Sequence, residues 1–330
     1  MRLAILGAGA WGTALGVALS SRHQISLWSR DPAQSRTLAA DRVNARYLPD
    51  VAIPAGVLIT SQLQLAIDNG ALIVIAVPTS ALRETMRLIV AAGSSAGVVW
   101  LCKGFESGSA KFPHQVAEEE LPSAQPRAAL SGPGFAGEVA RGLPAAVTLA
   151  SHDPRFAALA SRELHTGRLR VYSSSDLVGV ETAGAVKNVI AIAAGVCDGL
   201  QLGASARAAL ITRGLAEMTR LGVRLGARAE TFMGLAGVGD LMLTSTSDLS
   251  RNRRVGLQLA QGRPLAAILA ALGHVAEGVY TAREVMRISK QLGVDMPIAS
   301  AVSQLLDGTT SAQELVESLL QRGPKSESVL

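Results

Sequence analysis

Six residues near the start of the chain, Gly7-Ala8-Gly9-Ala10-Trp11-Gly12, limit what it can fold into more than any other feature. They follow an apolar run, Leu3–Leu6, that reads as a β-strand, and they open an Ala-rich stretch, Gly12–Ser21, that reads as a helix. A G-x-G-x-x-G string alone is a weak signal, but set between a strand and a helix it is the phosphate-binding turn of a βαβ unit. The glycines permit a tight turn, close approach of a pyrophosphate and close helix packing, and the helix N-terminus turns its unpaired N–H groups towards the phosphates. Gly7, Gly9 and Gly12 are therefore candidate contacts to NAD(H) or NADP(H).

The rest of the first half continues the alternation. Ile25–Trp28, Ala71–Val77, Val98–Leu101, Ala128–Ser131 and Ala145–Leu149 read as strands, and Ala81–Ala92 and Lys111–Glu120 as helices. Strands that are apolar throughout are covered on both faces, which predicts a mainly parallel sheet. From Asp176 onward the pattern is helical: Leu177–Asp198, Ser205–Leu225, Arg253–Gln261, Pro264–Leu272, Tyr280–Leu292, Ile298–Leu306 and Ala312–Leu319, punctuated by glycines at 226, 262, 273, 293 and 308. The expected fold class is α/β: a Rossmann-type domain over 1–175, then an all-helical domain over 176–330. The polar end, Arg322–Leu330, is expected to fray.

Hydrophobic residues make up 48% of the 330 and aromatics only 3%, so the core must be close-packed Ala, Leu and Val. Mean hydropathy is +0.30, yet no apolar run reaches the ~18 uncharged residues a spanning helix needs. Ala71–Leu82 and Pro264–Ala276 are shorter and are broken by Pro78 and His274. No secretory signal fits the first residues, and the two cysteines, Cys102 and Cys197, make neither a disulfide framework nor a zinc spacing; both are expected as small buried hydrophobes. The net charge of +5 comes without the aromatic-studded basic surface of a nucleic-acid binder, so small anionic ligands explain it better.

Hydride transfer at an alcohol carbon needs a group that takes or returns the hydroxyl proton. The histidines, His23, His114, His152, His165 and His274, lie outside any motif and read as structural or exposed. Two lysines are more informative. Lys103 follows the strand ending at Leu101, at the edge where open α/β sheets bind ligands. Lys187 sits in an almost uncharged helix, where burial would lower its pKa and fit it for acid–base work, unless its stem carries the ammonium out to solvent. It shares a helix face with Asp198, three turns on. Gly237–Asp240 leads into Ser250-Arg251-Asn252-Arg253-Arg254, either a phosphate-recognition patch or a solvated helix start. At the end of the second strand Arg30 suits a 2′-phosphate and Asp31 a ribose hydroxyl, a mixed signal that leans towards NADP.

In order along the chain, Gly7–Leu15, Leu48-Pro49, Lys103-Gly104, Ser131–Ala136, Val186–Val189, Gly237–Asp240, Ser250–Arg254 and Glu277-Gly278 resemble the bacterial NAD(P)-dependent sn-glycerol-3-phosphate dehydrogenases over nearly the whole length. The resemblance implies interconversion of dihydroxyacetone phosphate and sn-glycerol 3-phosphate for phospholipid synthesis, by a cytoplasmic homodimer without a membrane span, metal or nucleic-acid partner. It implies Lys187, Lys103 and Asp240 as catalytic. Substrate would meet Lys103, Gly132, Gly134, Lys187, Asn188, Asp240, Ser250, Arg251 and Asn252. Cofactor would meet the glycine turn with Ala10 and Trp11, and also Arg30, Tyr47, Lys103, Ala136, Arg251, Val275 and Glu277. Ala10 and Gly134 depart from the family, which commonly has Ser and Ser or Thr there. A β-hydroxyacid dehydrogenase resembling 6-phosphogluconate dehydrogenase shares the architecture but lacks the Ser-Arg-Asn-Arg-Arg run, and a non-catalytic NAD(P) sensor would have no use for a lysine on an apolar helix.

Overall fold

Ten strands and fifteen α-helices make up the computed structural model, which describes residues 1–68, 71–273 and 275–323. His274 and 324–330, the larger part of the end expected to fray, lie outside the described residues. The chain divides into two compact units, Met1–Cys102 with Lys111–Leu177, and Lys103–Ala110 with Val178–Leu330.

The first unit is built on a sheet of eight strands: β1 (Arg2–Leu6), β2 (Gln24–Trp28), β5 (Leu58–Thr60), β6 (Leu72–Ile75), β7 (Gly97–Trp100), β8 (Arg127–Ser131), β9 (Ala145–Ala150) and β10 (Leu169–Ser174). The order is β10-β9-β8-β7-β6-β1-β2-β5, and every pair is parallel except β8 with β9. β6 and β7 are buried at every residue, so they carry no polar alternation. Order reverses beside β1, and at such a switch point open sheets leave a crevice beyond the strand ends. A separate antiparallel pair joins β3 (Val43–Asn44) to β4 (Leu48–Ala52). The helices of this unit are α1 (Ala10–Leu19), α2 (Pro32–Asp41), α3 (Leu63–Ile67), α4 (Leu82–Ala91), α5 (Pro113–Glu120), α6 (Ala136–Ala140) and α7 (Pro154–Leu164).

The second unit contains α8 (Leu177–Gly199, from Val178), α9 (Gly203–Arg224), α10 (Asp240–Thr246), α11 (Arg251–Ala260), α12 (Leu265–Leu272), α13 (Glu277–Leu292), α14 (Pro297–Leu306) and α15 (Ala312–Leu320), and no strand among its described residues. By length and composition α8 could cross a membrane, although Glu181, Lys187 and Asp198 interrupt it and leave no uncharged run of the length a span needs. Here 94% of its most apolar stretch is buried within the protein. α8 and α11 cross at glycines. A Cβ on Gly195 would lie 2.0 Å from the Arg253 carbonyl, and one on Gly256 1.9 Å from that of Ile192. That close approach seats the first two turns of α11 against the C-terminal third of α8.

Candidate active site

In the first unit, the turn after β1 has the shape that a dinucleotide needs. Gly7 has φ +116°, open to glycine, and a Cβ on Gly12 would strike the Gly7 carbonyl at 1.8 Å. A Cβ on Gly9 would meet nothing within 4 Å, so the backbone there faces open space. Gly9 is the N-cap of α1 and no side chain caps that end; the first turn carries no acid. Uncapped N–H groups beside open space, with no opposing carboxylate, fit a pyrophosphate. The turn is braced from behind: the Ala8 carbonyl accepts from Asn44 Nδ2 (3.1 Å) and Gln34 Nε2 (3.0 Å), and Asn44 also donates to Thr13 Oγ1 (2.7 Å).

Other predicted cofactor residues gather around this turn. Ala10 and Trp11 pack in one apolar cluster with Ala136 and Leu48. Tyr47 lies between β3 and β4 with the Arg46 guanidinium 5.3 Å above its ring. A Cβ on Gly134 would come within 3.2 Å of the Trp11 ring, a tight contact. Gly132, at φ +134°, presses on Val147, and a Cβ there would lie 2.9 Å from the Val147 Cα. Arg30 is exposed directly after β2, whereas the Asp31 carboxylate accepts from Ala33 N–H (2.8 Å) and caps α2. Asp31 uses Oδ1 for this cap, and the two residues still give a mixed signal.

The second unit assembles a lysine–aspartate centre. Asp240 opens α10 and is 1% exposed. Its Oδ2 accepts from Lys103 Nζ and its Oδ1 from Lys187 Nζ, both at 2.6 Å. Lys187 Nζ also donates to Thr244 Oγ1 at 2.7 Å. The lysine stem does not reach solvent, because Lys187 is buried on α8. Burial lowers the Lys187 pKa to about 8, while Asp240 raises it and Lys103 lowers it. Burial works to raise the Asp240 carboxyl, but the two ammonium groups outweigh it and hold the carboxyl below its usual range.

Thr244 was not among the predicted site residues. The signal was present, since Asp240 and Thr244 stand four apart on one helix face, but nothing marked Asp240–Thr246 as helical. Asp198 is not a partner of Lys187. It bonds Arg253 Nε and Arg207 NH1, each at 2.7 Å.

Helix α11 starts two residues earlier than its pattern predicts, and that sorts the basic run. Ser250 is its N-cap, accepting from Arg253 N–H at 3.3 Å. Arg251 and Arg254 are exposed, while Arg253 is buried between Asp198 and Asp248. Asn252 is buried, donates to Asn188 Oδ1 (2.9 Å) and accepts from Gly278 N–H (3.1 Å). Helix α13 likewise starts three residues early, making Glu277 its first residue; the Glu277 charge bears on Lys187. Val275, just before it, is exposed. Of the cysteines, Cys197 is buried as expected and Cys102 is only half-buried.

Two family models match: the NAD-dependent glycerol-3-phosphate dehydrogenase N-terminus over residues 2–157 and its C-terminus over 176–317. The chain is 58% identical to a glycerol-3-phosphate dehydrogenase (NAD(P)+) of Nitrosospira multiformis and 56% identical to one of Dechloromonas aromatica, over 99% of each chain. The crystal structure of glycerol-3-phosphate dehydrogenase from Coxiella burnetii superposes with a TM-score of 0.92 at 40% identity, over 97% of this chain and 99% of that one. The chain belongs to the NAD-dependent glycerol-3-phosphate dehydrogenase family.

Proposed function

We propose that this chain interconverts dihydroxyacetone phosphate and sn-glycerol 3-phosphate, with Lys187 holding the proton that the substrate oxygen gains or loses. The observation that carries the reading is a buried lysine whose pKa is brought down to about 8 and whose ammonium is fixed by Asp240 and Thr244. A group with a pKa near the working pH can both give and take a proton. Bound NAD(P)H supplies the hydride to the carbonyl carbon.

In reduction, the Lys187 ammonium passes a proton to the oxygen as negative charge develops on it; in oxidation the neutral amine takes the proton back. Lys103, held on the same carboxylate, stabilises that charge. Asp240 keeps both lysines in place. Arg251 grips the substrate phosphate, aided by Ser250 and Asn252; Asn252 spends one N–H on Asn188 and has a second to offer. Gly132 and Gly134 offer backbone to the substrate.

The glycine turn, Ala10, Trp11, Arg30, Tyr47 and Ala136 hold the cofactor in the dinucleotide domain (1–175), joined by Lys103, Arg251, Val275 and Glu277. The helical domain (176–330) carries the chemistry. The enzyme works as a homodimer in the cytoplasm, and its product feeds glycerophospholipid synthesis. Absorbance at 340 nm with dihydroxyacetone phosphate and either cofactor tests the reading directly. Steady consumption of NADPH or NADH supports it. Binding without turnover would mark a sensor, and turnover only with a phosphorylated hydroxyacid would mark the other dehydrogenase class.

A further inference from the structure

Lys103 opens a short segment, Lys103–Ala110, that leaves the sheet of the first unit and belongs to the second. In this segment Ala110, a residue with a Cβ, has φ +56°, which a free chain would not favour there, while Gly108 takes φ +84° as glycine readily does. Two residues one turn apart on α13 hold it. Glu284 Oε1 accepts from the Gly108 N–H at 2.8 Å. Arg287 donates from NH1 to the Gly108 carbonyl (2.6 Å) and from NH2 to the Ser109 carbonyl (2.8 Å). Within the segment, Ser109 Oγ donates to Glu106 Oε2 (2.6 Å) and Ala110 N–H to the Glu106 carbonyl (2.9 Å). Glu284 is buried and its second oxygen lies 3.7 Å from Arg287. The same helix, at its first turn, brings Glu277 to bear on Lys187 and Gly278 to Asn252.

We infer that Glu284 and Arg287 are positioning residues that clamp the 103–110 segment onto α13 and so fix Lys103 against Asp240. The inference rests on the role proposed above for Lys103. A fork of guanidinium N–H groups on two successive carbonyls sets the orientation of the peptide as well as its distance. Four residues separate Gly108 from Lys103, so freedom at the clamp reaches the ammonium. Misplacing a charged group by about 1 Å can cost up to roughly 10²-fold in rate.

Arg287 is exposed, so its truncation leaves the core intact. Arg287→Ala should lower kcat/KM for dihydroxyacetone phosphate about tenfold. In a Lys103→Ala background the same change should cost less than about twofold, because the group it positions is gone. Glu284→Ala should act like Arg287→Ala, and Glu284→Gln, which keeps an acceptor for the Gly108 N–H, should restore most of the loss. Equal proportional losses in both backgrounds, or no loss in the wild-type background, would overturn the inference. Amide exchange is independent of catalysis: at Gly108–Ala110 it should quicken about tenfold in either alanine variant, and unchanged protection would overturn the clamp itself. Full activity of Lys103→Ala would instead remove the role of Lys103, and the kinetic half of the inference with it.

Discussion

The Lys187 ammonium lies 2.6 Å from Asp240 Oδ1, and the two groups pull on each other's protonation in opposite senses. Burial lowers the Lys187 pKa and the Asp240 carboxylate raises it, so the value near 8 is a balance. Asp240→Asn removes the raising partner and leaves Lys187 and Lys103 to repel each other. The Lys187 pKa should then fall further, moving the high-pH limb of the reduction rate to lower pH. Turnover should drop by up to roughly 10²–10⁴-fold, the usual worth of a general acid–base. A pH–rate profile whose limb stays in place would show that the carboxylate does not tune the lysine.

Arg251 and Arg253 stand two residues apart in the same basic run and should behave differently. Arg251 is exposed, and Arg251→Ala should cost about 10–150-fold in kcat/KM for dihydroxyacetone phosphate but hardly affect the already poor use of unphosphorylated dihydroxyacetone. Kd for NADPH, measured separately, removes any cofactor contribution. Arg253 is buried on Asp198, and Arg253→Ala should lower stability by about 2–3 kcal/mol, seen as a fall in Tm. An equal proportional loss for both substrates in Arg251→Ala would mean that Arg251 does not read the phosphate.

That contrast marks how far the sequence was legible. Local signals found the β1–α1 turn, the parallel core of the sheet and the helical second half, because continuous apolar strands and glycine stops are read along the chain. They missed β5 at the sheet edge, β10, exposed along much of its length, the short β3–β4 pair, and helices α2 and α7. Lys187 stood out because a charge on an apolar helix is conspicuous. Its partner did not: Asp240 lies 53 residues away, and the nearer acid on the same helix, Asp198, turned to Arg253 instead. Which arginine of Ser250–Arg254 faces inward depends on where α11 begins, and boundaries are set by tertiary contacts such as the Gly195–Gly256 crossing.

Cofactor choice turns on Arg30. Asp31 caps α2 through Oδ1, and the exposed Arg30 is the group proposed to meet a 2′-phosphate. NADPH should therefore serve at least as well as NADH, and Arg30→Ala should raise KM for NADPH about tenfold with little change for NADH. A wild-type kcat/KM for NADH tenfold or more above that for NADPH would contradict this reading.

Glu217 gives the fold a pH dependence of its own. It is buried on α9 and accepts from the N–H groups of Ile298 (2.8 Å) and Ala299 (3.3 Å) at the start of α14. Burial raises its pKa to about 7 against the pull of those two donors. A carboxyl raised in the folded state contributes stability that is complete below its unfolded pKa, near 4.5, and is lost as pH rises through about 7. Between pH 5 and 8 the wild type should lose at most about 3 kcal/mol on this account, and Glu217→Gln should lose much less. Parallel Tm–pH curves for the two proteins would show that the group is not buried in this way.

Lys187→Ala, assayed with NADPH and dihydroxyacetone phosphate at 340 nm, asks most directly whether the buried lysine moves the proton. Turnover should fall roughly 10²–10⁴-fold while Kd for NADPH stays within about twofold of the wild type. The wild-type reduction rate should decline above pH 8 as the ammonium is lost, and the reverse reaction should decline below it. A Lys187→Ala protein with near-normal kcat and the same pH limbs would contradict the account.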